Sequence, residues 1–136
     1  MTKKLLLAVV IALAFAVPAK AENLAQLRPN VEYTFTFTRG ANNNFSTAVI
    51  FFAVSGSGVT VLDTQFLLGT NLNPDFINLS LGKRVNALII QVSPTRDGSA
   101  NPGTFTITVT NTVTQATVVN TTQYTDDHQL VFQVIP

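Results

Sequence analysis

Hydrophobic and polar residues alternate strictly in two stretches of this chain, and that two-residue period is the strongest limit on its fold. In residues 31–38, Tyr33, Phe35 and Phe37 alternate with polar residues, and residues 104–110 repeat the pattern with threonine at every second position. A period of two places neighbouring side chains on opposite faces of a β-strand. Both stretches are therefore predicted to be half-buried strands whose aromatic and aliphatic side chains point inward.

Further strand-like segments follow at intervals of roughly ten to fifteen residues, with turn residues between them. The segments are 47–54, which is apolar on both faces and predicts a central strand, 59–68, 85–92, 113–124 and 130–135. Residues 55–58 (SGSG) predict a hairpin between the first two, and residues 75–81 fit either an edge strand or one helical turn. No amphipathic helical pattern occurs after residue 21. The prediction is an all-β fold, an antiparallel β-sandwich or jelly roll of about seven to eight strands.

The first 21 residues differ from the rest and match a secretory signal peptide. Lys3 and Lys4 precede an apolar run over residues 5–17, which is shorter than the roughly 20 residues of a membrane span. Ala19 and Ala21 then supply the small residues that signal peptidase requires. Cleavage is expected after Ala21, which leaves residues 22–136 as a single mature domain without a transmembrane span.

The charge and cysteine content of the predicted mature chain limit the cell compartments and the classes of partner that it fits. Of eight basic residues in the sequence, three belong to residues 1–21, so five remain against seven acidic residues, a net charge of −2. Five scattered cations form no stripe for a phosphate backbone, which excludes nucleic acid as a partner. The chain has no cysteine, whereas small eukaryotic secreted domains are commonly rich in disulfides. A secreted protein of bacterial type, extracellular or periplasmic, is the expectation.

Residues 101–110 (NPGTFTITVT) resemble a "PGTYTITVT" run that is common in bacterial immunoglobulin-like, PKD-like and protease-appended sandwich domains. The resemblance covers about ten residues, a Pro-Gly turn followed by a threonine-rich strand. It implies the sandwich architecture and no activity.

Catalytic chemistry is not expected, and no cofactor is predicted. Residues 125–128 (TDDH) are the one place where a hydroxyl, carboxylates and a histidine are adjacent, and a charged turn before the last strand explains them. Neighbours on a strand point to opposite faces, so Asp127 and His128 are poorly placed to act together. Asp126 and Asp127 are weak candidates for Ca²⁺ ligands, because that ion takes six to eight oxygens.

A small extracellular binding module for a glycan or a protein is the alternative function. Loops on a rigid sandwich are where binding residues usually lie. The candidate binding residues are Asn42, Asn43, Asn44, Arg96 and Asp97.

Threonine is the most unusual feature of the sequence and points to the leading hypothesis. It occupies the outward positions of two predicted strands, as Thr34, Thr36, Thr38, Thr104, Thr106, Thr108 and Thr110. The β-propensity of threonine alone explains such a pattern, and ice binding would require a fixed repeat that is absent here. Charged residues are only 11% of the chain, however, and the Lys and Glu that discourage strand pairing are scarce.

The leading expectation is therefore a secreted, non-enzymatic structural or adhesive surface or matrix protein. Its partner would be a second copy of itself or another surface protein or glycan. The segment Glu22 to Asn30 is expected to be free to reach a neighbour by donating a strand.

Overall fold

The computed structural model describes residues 20–40, 47–67, 74–94 and 103–136, and these residues form nine strands and no helix. The strands are β1 (Lys20–Leu27), β2 (Glu32–Arg39), β3 (Thr47–Ser55), β4 (Gly58–Leu67), β5 (Asp75–Ser80), β6 (Val85–Pro94), β7 (Thr104–Asn111), β8 (Thr117–Tyr124) and β9 (His128–Val134). The predicted signal peptide lies outside the described residues except for Lys20 and Ala21, which begin β1.

The strands form two sheets that pack face to face as a β-sandwich, which confirms the predicted fold class. The five-stranded sheet has the order β1-β9-β6-β3-β4, and the four-stranded sheet has the order β5-β2-β7-β8. All neighbours are antiparallel except β1 and β9, which run parallel. The predicted β3–β4 hairpin is present, with Ser55 opposite Gly58.

The core between the sheets is built on phenylalanine. Phe35 of β2 contacts Phe51 of β3 and Phe132 of β9 edge to face, with ring centroids 5.5 and 5.8 Å apart. Aromatic pairs favour this arrangement because the positive ring edge meets the negative ring face. Phe35 therefore joins both sheets at the centre of the core. The side chains predicted to point inward from β2 and β7 are all buried: Tyr33, Phe35, Phe37, Phe105, Ile107 and Val109.

Strand β3 lies between β4 and β6, so its predicted central position is confirmed. Its two faces belong to different hydrophobic clusters. Phe51 joins the main core, whereas Val54 joins a second cluster with Ala87, Ile89 and Val131. All four members of the second cluster are strand residues of the five-stranded sheet. Alternation along β3 places this cluster on the outer face of that sheet.

Strand β1 overturns the prediction that residues 22–30 are a free polar segment. Its residues pair in parallel with β9, from Lys20 opposite His128 to Leu27 opposite Val134. Leu27 is fully buried, and its carbonyl accepts a 2.8 Å hydrogen bond from the Ile135 amide. The composition KAENLAQL favours a helix more than a strand. Pairing with β9 overrides that local preference.

The ambiguous segment 75–81 and the predicted strand 113–124 both supply strands at sheet edges. Residues 75–80 form β5, which pairs with β2. Residues 113–116 lie in the tight connection after β7, so β8 begins at Thr117. Both are edge strands of the four-stranded sheet, and both are paired on one side.

Candidate functional site

The seven predicted threonines lie together on the outer face of the four-stranded sheet. Because β2 and β7 are antiparallel neighbours, six of the threonines form cross-strand pairs: Thr34 with Thr110, Thr36 with Thr108, and Thr38 with Thr106. Thr104 lies two residues before Thr106 on β7, opposite Tyr124 of β8. We call these seven residues the threonine face.

The two edge strands extend the threonine face on both sides. Strand β5 adds Phe76 opposite Thr36 and Asn78 opposite Thr34. Strand β8 adds Asn120 opposite Thr108 and Thr122 opposite Thr106. The outward side of the sheet thus displays hydroxyl and amide groups in rows that cross all four strands.

Exposed aromatic rings mark the two edges of this surface. Phe76 on β5 is 67% exposed and Tyr124 on β8 is 62% exposed. The alternation of residues 75–80 places Ile77 and Leu79 inward and Phe76 outward. That signal was present in the sequence, because a strand with two inward aliphatic residues must turn its phenylalanine to solvent.

Hydrogen bonds between strands hold several of the polar side chains in place. The Thr34 hydroxyl donates to Asn78 Oδ1 at 2.7 Å and lies 2.9 Å from the Thr112 hydroxyl. The Thr106 and Thr122 hydroxyls are 3.3 Å apart. Side chains that are already ordered lose less entropy when a partner binds. These bonds therefore restrict Thr34, Thr106 and Thr122 before any partner is present.

The outward side of the four-stranded sheet carries almost no charge. Among the described strand residues that point outward there, Glu32 at one end of β2 is the sole charged residue. A surface without like charges offers no electrostatic opposition to a second copy of itself.

The His128 ring joins the Asp126–His128 turn to strand β8 by hydrogen bonds. The His128 ring is largely buried, its Nδ1 lies 2.8 Å from the Asp126 carbonyl oxygen, and its Nε2 lies 3.2 Å from Gln123 Oε1. Asp126 Oδ1 is 3.2 Å from the same Nδ1. Gln123 in turn donates to the Thr121 hydroxyl at 3.2 Å. This network ties the end of β8 to the start of β9, and the buried state of His128 was not foreseen.

The candidate Ca²⁺ ligands Asp126 and Asp127 lie at the surface of this turn. Asp126 and Asp127 are both exposed, and the described residues contain no group of three or more His, Cys, Asp or Glu side chains placed to hold an ion. The candidate binding residues Asn42, Asn43, Asn44, Arg96 and Asp97 lie outside the described residues.

Replacing His128 tests the structural role of this network. His128→Ala should lower the free energy of unfolding by about 1–3 kcal/mol, because it leaves the buried Gln123 carbonyl oxygen without its partner. Urea denaturation followed by circular dichroism measures the change. The matched control is Asp127→Ala, an exposed residue of the same turn that should cost less than about 0.5 kcal/mol. Equal costs for the two variants would show that the His128 bonds do not stabilise the turn.

Comparison with known proteins gives no relative: the sequence matches no protein-family model, and no curated protein or solved structure matches it significantly. In the described part of the chain, no helix has the length and hydrophobicity needed to cross a membrane.

Proposed function

We propose that this protein is a secreted, non-enzymatic structural or adhesive component of a cell surface or extracellular matrix, and that it self-assembles. The observation that carries the proposal is the outward side of the four-stranded sheet, a nearly uncharged surface with the threonine face at its centre. Secretion is supported by the N-terminal sequence. Its lysines, its apolar run and the Ala19-Lys20-Ala21 cleavage motif fit a signal peptide.

Physical chemistry favours association through such a surface. Threonine and asparagine side chains can donate and accept hydrogen bonds, so two copies of the same surface can satisfy each other. Four strands spaced about 4.8 Å apart, each about 8 residues long, give a flat area of roughly 500 Å² per copy. Stable interfaces bury about 800 Å² per partner, so one such contact would be weak and many repeated contacts would be needed for a firm assembly.

The test is the mass of the exported protein in solution. The full-length chain is expressed with its own N-terminal segment, and the secreted product is examined by N-terminal sequencing and by light scattering over a concentration series. We expect a product that begins at Glu22 and a mass that rises with concentration. A monomer at every concentration would overturn the self-assembly part of the proposal.

A charge variant locates the association on the threonine face. Thr108→Lys places a cation near the centre of this face and should weaken association about tenfold or more, because like charges then meet between copies. The matched control is Thr64→Lys, the same substitution at an exposed residue of β4 in the other sheet. If both variants associate like the unmodified protein, the threonine face is not the contact surface.

A further inference from the structure

The hydrogen bonds between β7 and β8 show which backbone groups of β8 face outward from the edge of the sheet. The Thr125 amide donates to the Gly103 carbonyl at 3.0 Å, so residues 103 and 125 form a hydrogen-bonded pair. Hydrogen-bonded and non-hydrogen-bonded pairs alternate along antiparallel strands. By this alternation Asn120, Thr122 and Tyr124 form non-hydrogen-bonded pairs with β7. Their amide and carbonyl groups therefore point away from β7, at the edge of the sheet, where no described strand pairs with them. We call these groups of Asn120, Thr122 and Tyr124 the open ladder.

The open ladder belongs to the strand whose edge is least protected. Residues 104–125, which include all of β7 and β8, contain no charged side chain and no proline. Native proteins protect sheet edges with charges, bulges, proline or short strands, because an open edge templates pairing with another chain. Strand β8 has one bulge, at Val118, and is regular from Val119 to Tyr124.

The other three edges carry more protection. Strand β4 has a bulge at Leu62 and carries Asp63 on its core-facing side. Strand β5 has six residues and starts with Asp75, and β1 contains Glu22 and an irregularity between Asn23 and Ala25. By this comparison β8 is the edge best suited to pair with another strand.

We propose that β8 pairs with β8 of a second copy of this chain, antiparallel about a two-fold axis at Thr122. This inference rests on the proposed self-assembly and names its smallest unit. The axis places Thr122 opposite its own counterpart and Asn120 opposite Tyr124 of the other copy. Each copy contributes three outward amides, so the pairing forms about six backbone hydrogen bonds. The two four-stranded sheets become one continuous eight-stranded sheet.

The distribution of charge suits this two-fold arrangement. The nearest acidic residues, Asp126 and Asp127, follow directly after the uncharged stretch. In the proposed register Asp126 lies opposite Val118 of the other copy. The two Asp126 residues are about eight residue steps apart, roughly 27 Å, beyond the screening length at physiological salt. No like charges meet, and the two threonine faces join into a surface of twice the width.

A proline variant tests the open ladder. Thr122→Pro removes one outward amide without removing a hydrogen bond to β7, and edge strands tolerate proline where the amide faces solvent. The matched control is Asn78→Pro on β5, which by the same alternation removes an outward amide from the opposite edge. At concentrations too low for the weak stacking contact alone, light scattering should show monomers for Thr122→Pro, and a dimer or larger species for Asn78→Pro and for the unmodified protein.

Single cysteines provide a second measurement that does not depend on how the proline variant folds. The chain has no cysteine, so Thr122→Cys can form a disulfide only between two copies. Hydrogen-bonded partners in antiparallel strands have Cα atoms about 5.5 Å apart, within the range that a disulfide spans. Oxidation with copper phenanthroline should cross-link most Thr122→Cys chains into dimers and few chains of the β5 control Asn78→Cys.

The outcomes separate this inference from the proposed function. An unmodified protein that stays monomeric at every concentration overturns the self-assembly on which the pairing rests. An unmodified protein that associates while Thr122→Pro keeps its full mass, or while Asn78→Cys cross-links as well as Thr122→Cys, overturns the β8 pairing alone. Thr108→Lys should block stacking of the threonine faces yet leave the β8 dimer, because Thr108 is not at the edge.

Discussion

Replacing Phe35 with alanine should cost this domain about 3–5 kcal/mol of unfolding free energy, the range found for large aromatic residues in well-packed cores. Phe35 is 1% exposed and its ring contacts Phe51 and Phe132 of the opposite sheet. The substitution removes buried apolar area and both edge-to-face contacts. It also leaves a cavity between the two sheets, which the surrounding core fills only in part. A loss of this size is comparable to the whole stability of many small domains.

Urea denaturation of the Phe35→Ala protein measures this cost, with Phe76→Ala as the matched control. Phe76 lies on the adjacent strand of the same sheet but is 67% exposed, so its removal should change stability by less than about 0.5 kcal/mol. A similar cost for the two variants would contradict the assignment of Phe35 to the centre of the core.

Deleting residues 22–27, which form most of β1, should destabilise the fold and open the edge of β9. The deletion removes Leu27, which is fully buried, together with its hydrogen bond to Ile135. Loss of one buried leucine side chain alone costs about 2–5 kcal/mol. The exposed edge of β9 would then offer unpaired backbone groups to other chains. We therefore expect lower stability and more association than in the unmodified protein.

Two measurements distinguish this outcome from that of a free N-terminal segment. Urea denaturation reports the stability, and light scattering reports the mass of the deletion protein. A segment that reached across to a neighbour would leave stability unchanged on deletion and would lower the mass. The matched control is Gln26→Ala, at an exposed residue of β1. This replacement should change the free energy of unfolding by less than about 0.5 kcal/mol and leave the mass in solution unchanged.

The sequence predicted those strands whose side chains alternate between core and solvent. Strands β2 and β7 follow this rule, and their buried residues Phe35 and Ile107 were correctly placed. Strand β1 was missed because its composition favours a helix and its pairing with β9 acts through the backbone. Local residue pattern contains no information about a partner strand about one hundred residues away in the chain.

The candidate site shows the same division between local and long-range information. Alternation put each threonine on an outward position, but it did not show that β2 and β7 are neighbours. That arrangement depends on four intervening strands, and it is what pairs Thr36 with Thr108. The burial of His128 also depended on a partner, Gln123, that lies on the preceding strand.

The position of β9 has a consequence for how the chain reaches its folded state. Strand β9, the last described strand in chain order, lies in the interior of the five-stranded sheet, between β1 and β6, with β1 on its outer side. The five-stranded sheet therefore cannot be completed before β9 is available, and its pairing of distant segments, such as β1 with β9, gives a high contact order. Such topologies fold slowly, in milliseconds to seconds. The backbone groups of β6 that face β9 therefore stay without their strand partner until β9 joins the sheet, although β6 can already pair with β3.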